Sequence, residues 1–450
     1  MESFQTFLTQ YPEYENPMLD CVRENQFSHV TGVYADWTGA ALPPQFLIKD
    51  HGDFLMRNAL GNPHSHHAPS ALAMKEVMET RRTILAFFNA DPSEYEVIFT
   101  QNATGAILIL QHYLFEAGEL LLTEDNHNSM NGLREIAKRK GGTFRYASIN
   151  NDLTFNKEDL ETKLSYPRSV GNKLFGYPAK SNYSGICHNL EWVNYAQERG
   201  WDVILDAAAF VANNRLDLSK IKPDFVPISF YKIFGYPTGI GCLIIKKEKY
   251  QKLHKRWFSG GSILLVSVIK DFYAPESVGY ARFEDGTVNF AGIPAIKNGL
   301  SFAEGLGDIK PRVTALASWL HEVLSGMTAG NNSIDVYNSR GNDTVAFNIK
   351  KDGKVQDAWH FEQAASEAGI YVRTGCFCDP GVNEKVFGYE IDSFERLYNS
   401  KLLPDQINIE NLRSYSEKPI GAIRASFGYY NNFDDVKRFA DFTQGYLTSM

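Results

Sequence analysis

Ser229-Phe-Tyr-Lys-Ile-Phe-Gly-Tyr-Pro-Thr-Gly-Ile-Gly241 sets one lysine, Lys232, between apolar residues and a turn rich in glycine and proline. Upstream, Val203-Ile-Leu-Asp206 is a short apolar run that ends in a carboxylate. A lysine in apolar surroundings gives up its proton more easily, because desolvation disfavours the charged form. The neutral amine can then bond to an aldehyde carbon. A carboxylate at the end of a buried strand can pair with a cationic ring nitrogen. Pyridoxal 5'-phosphate needs both groups, an amine for its aldehyde and a carboxylate for its pyridinium. The competing reading is an internal strand with one lysine that reaches toward solvent.

Outward from this stretch, strand and helix signals alternate. Tyr95-Glu-Val-Ile-Phe-Thr100 reads as a strand, followed by Gln101-Asn-Ala-Thr-Gly105 and the start of an apolar helix. Strand, small-residue turn and helix bring free backbone N–H groups to one point, which suits a phosphate, and Thr104 adds a hydroxyl. An ordinary capped helix has the same signature. A second strand around Leu120-Leu-Leu-Thr123 leads to His127 and to a helix at about 128–140. Open α/β sheets bind ligands at that end of a strand. Tyr177-Pro-Ala-Lys-Ser-Asn182 is a further strand end, with Asn182 placed like a ligand contact. From 95 to 245 the pattern is βαβ, which predicts a mostly parallel sheet. After about residue 298 the pattern changes to strands at 333–337, 344–349, 370–374 and 421–428 with helices at 355–368 and 432–448. That predicts an α/β protein with a large unit over 1–297 and a smaller α+β unit over 298–450.

The 450 residues are 44% hydrophobic and 22% charged, an ordinary globular composition. A net charge of -8 without a basic block argues against nucleic acid as a partner. Five sparse cysteines argue for a reducing compartment, the cytoplasm. Met1-Glu-Ser-Phe-Gln-Thr6 shows neither a basic region nor an apolar run, so no secretory signal is expected. The most apolar long window, 226–245, holds Lys232, prolines and glycines, and reads as buried strands and turns instead of a membrane span. His64, His66 and His67 stand close together, but no carboxylate or cysteine lies beside them. A polar entry loop fits better than a metal site.

Arg373-Thr-Gly-Cys-Phe-Cys-Asp-Pro-Gly381 carries Cys376 and Cys378 on a loop just after a strand. A thiol there can be exposed and nucleophilic. Inert buried thiols are the alternative, and zinc lacks enough neighbouring ligands. Arg424 lies among small and apolar residues of a strand, where a guanidinium needs a carboxylate, from a substrate or from an internal ion pair.

These stretches, with Asn62-Pro-His-Ser65, Asp125-Asn-His127, Phe283-Glu-Asp-Gly-Thr287 and Arg424-Ala-Ser-Phe-Gly428, resemble the class V, fold-type I pyridoxal-phosphate enzymes. They are most similar to the cysteine desulfurase-like amino-terminal domain of the molybdenum cofactor sulfurases. The resemblance implies that Lys232 binds the cofactor aldehyde and moves the α-proton. Asp206 would pair with the ring nitrogen, His127 stack on the ring and Asn182 contact its hydroxyl. Ala103, Thr104 and Ser229 would hold the phosphate, and Thr287 would reach it from the partner of a homodimer. Arg424, helped by Arg373, would bind the substrate carboxylate. Cys378 would take sulfur from L-cysteine as a persulfide, releasing alanine, and pass it to a separate acceptor protein. Two departures stand out. Tyr231 precedes the lysine, where desulfurases proper carry histidine, and Ala209 stands where they carry glutamine. Full-length sulfurases continue into a further domain, so the acceptor stays open. Epimerisation, elimination or transamination of another amino acid, and a binding protein without chemistry, are the remaining alternatives.

Overall fold

A computed structural model describes residues 3–113, 117–277, 279–389 and 418–450, together with 391, 392, 395 and 399. The central sheet has seven strands: β1 (Tyr95–Thr100), β2 (Glu119–Thr123), β3 (Thr143–Ala147), β4 (Lys173–Pro178), β5 (Asp202–Asp206), β6 (Phe225–Ser229) and β7 (Gly241–Lys246). Their order is β1-β7-β6-β5-β4-β2-β3. β2 through β6 run parallel, and β7 runs antiparallel to both β6 and β1. Every residue of β2, β5 and β6 is buried. A parallel strand covered on both faces has no polar side to show, which is why these strands read as near-continuous apolar runs.

Because β7 opposes both of its neighbours, β1 points the same way as the parallel strands. The turns after β1, β2, β4, β5 and β6 therefore meet at one edge, the place where open α/β sheets bind ligands. Helices α1 (Ala68–Phe87) and α2 (Ala103–Leu108) flank the sheet, and the single turn α3 (Tyr231–Phe234) follows β6. Then come a two-stranded ribbon, β8 (Ile263–Ser267) and β9 (Phe272–Pro275), and helices α4 (Ala295–Gly305) and α5 (Lys310–Ser325).

A second, antiparallel sheet is built on β10 (Asn332–Val336), β11 (Thr344–Lys351), β12 (Arg373–Gly375) and β13 (Ala422–Ser426), with β13 between β11 and β12. Short strands Thr328–Ala329 and Lys354–Val355 extend it. Helices α6 (Ala358–Glu367), α7 (Pro380–Phe387) and α8 (Phe433–Ser449) complete this part. Its apolar core includes residues from the other end of the chain: Phe7 packs on Phe433 with ring centroids 4.5 Å apart. Val33–Tyr34 pairs parallel with Ile370–Tyr371, and Asp36 bridges to Ser426. The expected helix at 128–140 is two helical segments, Asn128–Asn131 and Leu133–Arg139. The expected strand at 370–374 is split, because Ile370–Tyr371 pairs with the N-terminal segment while β12 pairs with β13.

Candidate active site

The pocket at the sheet edge is lined by Ala103 and Thr104 after β1, His127 after β2, Asn182 after β4, Asp206 at the end of β5, and Ser229 and Lys232 at the end of β6. Strand register explains part of this convergence. Gly241 of β7 lies opposite both Thr100 and Ser229. A Cβ at Gly241 would sit 2.5 Å from the Ile228 carbonyl oxygen and 2.6 Å from Asn102 Cα, so a side chain would push the turn away. With glycine there, the Ala103 N–H donates to Ser229 Oγ at 2.8 Å. Asn102 caps α2 through the Gly105 N–H, and the Thr104 and Ser129 hydroxyls meet at 2.8 Å.

Lys232 stands on α3, which Gly235 ends at φ 78°. Its Nζ donates to Asn182 Oδ1 at 3.2 Å. Burial pulls the lysine down to about 8, against the Asp206 charge, which opposes the shift; the nearby cations Arg424, Lys180 and Arg373 add to it. About half of the amine is therefore neutral at pH 8, where an ordinary lysine is almost wholly charged. Burial likewise lowers His127, again opposed by Asp206. His127 Nδ1 accepts the Ser129 N–H at 3.1 Å, which leaves the proton of the neutral ring on Nε2. Asp206 is oriented by the Ala208 N–H on Oδ1 at 3.0 Å.

The other expected residues lie outside the pocket lining. Thr287 lines a separate cleft with Thr100 and Asn289, and it accepts from Asn62 Nδ2 at 3.4 Å. Arg424 is fully buried in β13 and forms the internal ion pair: its Nη2 meets Asp36 Oδ1 at 2.7 Å, and its Nη1 donates to the Asn182 carbonyl at 2.6 Å. The carboxylate left open by the sequence is thus supplied by Asp36. Arg373 sits beside Arg424 across β12 and β13 and is partly buried. Among the described residues its guanidinium has no ion-pair partner, and its charge bears on Lys232, His127 and Tyr231.

Cys378 is partly exposed, and its loop is docked on the pocket rim. The Cys378 carbonyl accepts the Asn128 N–H at 2.7 Å, and the Phe377 carbonyl accepts Asn182 Nδ2 at 2.8 Å. Asn182 therefore touches the pocket lysine, the cysteine loop and Arg424 at once. Two residues without a role assigned from sequence also belong here. Lys180 lines the pocket and pairs with Asp343 at 2.5 Å, both buried. Tyr231 lines it too and feels the Cys378 thiol. Lys180 stands two residues past the end of β4 in a turn that reads as polar, and its partner lies 163 residues away. Among the described residues no group of three or more His, Cys, Asp or Glu side chains could hold a metal ion.

A doubly wound sheet with an easily deprotonated lysine, a strand-end carboxylate and hydroxyl-bearing turns at one edge defines an α/β enzyme of the pyridoxal-phosphate kind. Residues 33–439 match the Aminotransferase class-V family, and the chain belongs to it. Members of that family use pyridoxal 5'-phosphate. The chain is 31% identical to human molybdenum cofactor sulfurase, over 94% of its own length and 50% of that protein. It is 30% identical to the Arabidopsis thaliana molybdenum cofactor sulfurase, over 97% of its own length and 60% of the relative. It thus spans about half the length of the curated relatives it matches. Its fold is similar to that of a cysteine desulfurase from Thermococcus onnurineus NA1, with a TM-score of 0.79 at 22% identity over 96% of this chain and 98% of that one. The Escherichia coli cysteine desulfurase CsdA gives a TM-score of 0.76 at 19% identity over 97% and 99%.

The donor set fits the cofactor. Lys232 offers a neutral amine, Asp206 a carboxylate for the ring nitrogen, and Thr104, Ser229 and the turn before α2 offer donors for a phosphate.

Proposed function

We propose that this chain is a pyridoxal-phosphate-dependent, cysteine desulfurase-like sulfurtransferase that takes sulfur from L-cysteine and hands it to a separate acceptor protein. The observation that carries this reading is the docking of the Cys378 loop, through Asn128 and Asn182, on the rim of the pocket that holds Lys232. When bound, the cofactor supplies an electron sink for the carbons of the amino acid.

The residues of the chain supply the rest. Lys232 Nζ, half neutral at about pH 8, would hold the cofactor aldehyde, and its amine can carry the α-proton. Asp206 would pair with the ring nitrogen, and His127, with its Nε2 proton available, would lie against the ring. Arg373 binds the substrate carboxylate, and Arg424 holds Asn182 and Asp36 in place beside it. Cys378 Sγ then bonds to the substrate sulfur as the substrate carbon–sulfur bond breaks. The electron pair of that bond and the proton of the Cys378 thiol end on carbon. The products are alanine and a persulfide on Cys378.

A homodimer supports the same site. The ribbon β8–β9 exposes Leu264, Leu265, Val268, Ile269 and Phe272, a patch that a monomer would leave in water. Thr287, which lines a cleft outside its own pocket in the stretch that follows this ribbon, would reach the partner's site. Five free cysteines suit the cytoplasm, and among the described residues no helix is long and apolar enough to cross a membrane. The test is the Cys378→Ser variant loaded with cofactor and L-cysteine. Alanine release is expected to collapse, and undiminished release would rule out this role for Cys378.

A further inference from the structure

Directly after Cys378 stands Asp379, a carboxyl with no solvent exposure. Two backbone contacts lay its segment along the turn that follows β2. At one end the Asn128 N–H donates to the Cys378 carbonyl at 2.7 Å. At the other, Gly381 lies so close to Glu124 that a Cβ there would sit 2.1 Å from the Glu124 carbonyl oxygen. Between these contacts Asp379 lies near enough to Asp125, itself 1% exposed, to feel its charge.

Each carboxyl has a side-chain partner on Oδ2. Asp379 Oδ2 accepts from the Ser181 hydroxyl at 3.1 Å, and Asp125 Oδ2 meets His188 Nε2 at 2.5 Å. Each has its other oxygen, Oδ1, buried without a hydrogen-bond partner. Native interiors leave few polar atoms in that state. Two neighbouring carboxylates in a dry site also repel, and one proton held between them removes both penalties. Burial first, and then the Asp125 charge, hold the Asp379 carboxyl well above the usual carboxylate range, against the Ser181 hydroxyl and the Val382 and Tyr183 N–H groups, which favour its charged form. His188 stands on the far side of Asp125, its ring stacked on Phe155 with centroids 3.6 Å apart. Tyr183 and Cys376 lie on the Asp379 side, with Tyr337 and Tyr389 around Tyr183.

We propose that Asp379 is an un-ionised acid that donates to Asp125 Oδ1, and that this acid–carboxylate pair clamps the 376–378 loop to the pocket wall. Asp379 and Asp125 are then positioning residues for Cys378. The clamp has work to do, because Phe377 (φ 52°) and Cys378 (φ 59°) are consecutive left-handed residues, a conformation that persists only where the surroundings impose it. That Cys378 accepts sulfur rests on the function proposed above; the clamp itself does not.

The experiment uses the full chain with two readouts that need no turnover. In infrared difference spectra at neutral pH, the wild type shows the carbonyl stretch of an un-ionised carboxylic acid. Asp379→Asn removes it, and so does Asp125→Asn, which takes away the anion that keeps Asp379 protonated. Alkylation of Cys378 by iodoacetamide, followed by mass spectrometry, reports the loop. The side-chain amide introduced by Asp379→Asn still donates to Asp125, so this variant keeps the wild-type rate within about twofold. Asp379→Leu leaves Asp125 without a donor and raises the rate about tenfold or more, the scale expected for one lost buried hydrogen bond. If Asp379→Leu does not fold, the infrared band still decides. The clamp is overturned if no such band disappears in Asp379→Asn, or if Asp379→Asn and Asp379→Leu are alkylated equally fast. Unchanged alanine release by Cys378→Ser, with the band intact, would overturn the sulfur-transfer role and leave the clamp standing.

Discussion

The free amine of Lys232 should titrate near pH 8 in the protein without cofactor, down from 10.5. A shift of that size is worth about 3 kcal/mol between the two protonation states. At pH 8 half of the Lys232 side chains would be neutral, against about 0.3% for an ordinary lysine, a gain of roughly 150-fold in reactive amine. The sign of the linked stability follows. The unfolded chain binds the proton up to the ordinary value while the folded chain releases it near 8. Folding therefore gains stability as pH rises from about 8 to 10.5, and loses it as pH falls back through that window. The assay is competitive acetylation of the cofactor-free protein across a pH series, reading the Lys232 peptide by mass spectrometry. Two variants test the cause. Asp206→Asn removes the charge that opposes the shift and should lower the midpoint further, whereas Arg373→Gln removes a cation and should raise it. A wild-type midpoint at the ordinary lysine value, or an upward move in Asp206→Asn, would refute the reasoning.

Three other perturbations have definite outcomes. Gly428→Ala would set a methyl group 2.0 Å from the buried Trp37 ring, and should cost about 1–3 kcal/mol by urea unfolding; a neutral substitution would mean that Trp37 can move aside. Asp36→Asn leaves the buried Arg424 guanidinium without its carboxylate and should cost about 3 kcal/mol, the low end for breaking a buried pair because Asp36 keeps some contact with water; a change under 1 kcal/mol, roughly the surface-pair value, would show that Asp36 is not its anchor. Val268→Asp with Ile269→Asp, both residues 97% exposed in the single chain, should shift sedimentation from dimer to monomer while the fold persists; a wild type that already sediments as a monomer would remove the role given to this ribbon.

The parallel sheet was legible because its physics is local. Strands buried on both faces must be apolar throughout, and the turns between them must carry glycine, proline and capping residues. The run at 203–206 and the turn after Lys232 announce themselves in that way. β3, Thr143–Ala147, did not, because it is the edge strand and most of its residues are only partly buried or exposed. The ribbon β8–β9 was missed for another reason. Its apolar residues point outward in a single chain, so neither alternation nor burial marks them as strands.

For the site, the sequence reached only what a strand end reveals. Ala103, Thr104, His127, Asn182, Asp206, Ser229 and Lys232 each follow or end a strand, and a parallel sheet must gather such turns at one edge. What it could not reach is pairing between distant segments. Arg424 demanded a carboxylate, but nothing in β13 says that Asp36, 388 residues away, supplies it. That pairing depends on Val33–Tyr34 lying beside Ile370–Tyr371, a contact with no local signature. The consequence is chemical. With Arg424 neutralised by Asp36, the one guanidinium beside the pocket without an ion-pair partner among the described residues is Arg373. That is why the function proposed above gives the substrate carboxylate to Arg373, in the motif that carries Cys378. In that proposal the substrate anchor and the sulfur acceptor would lie five residues apart on one strand and loop, so whatever fixes that loop would fix both.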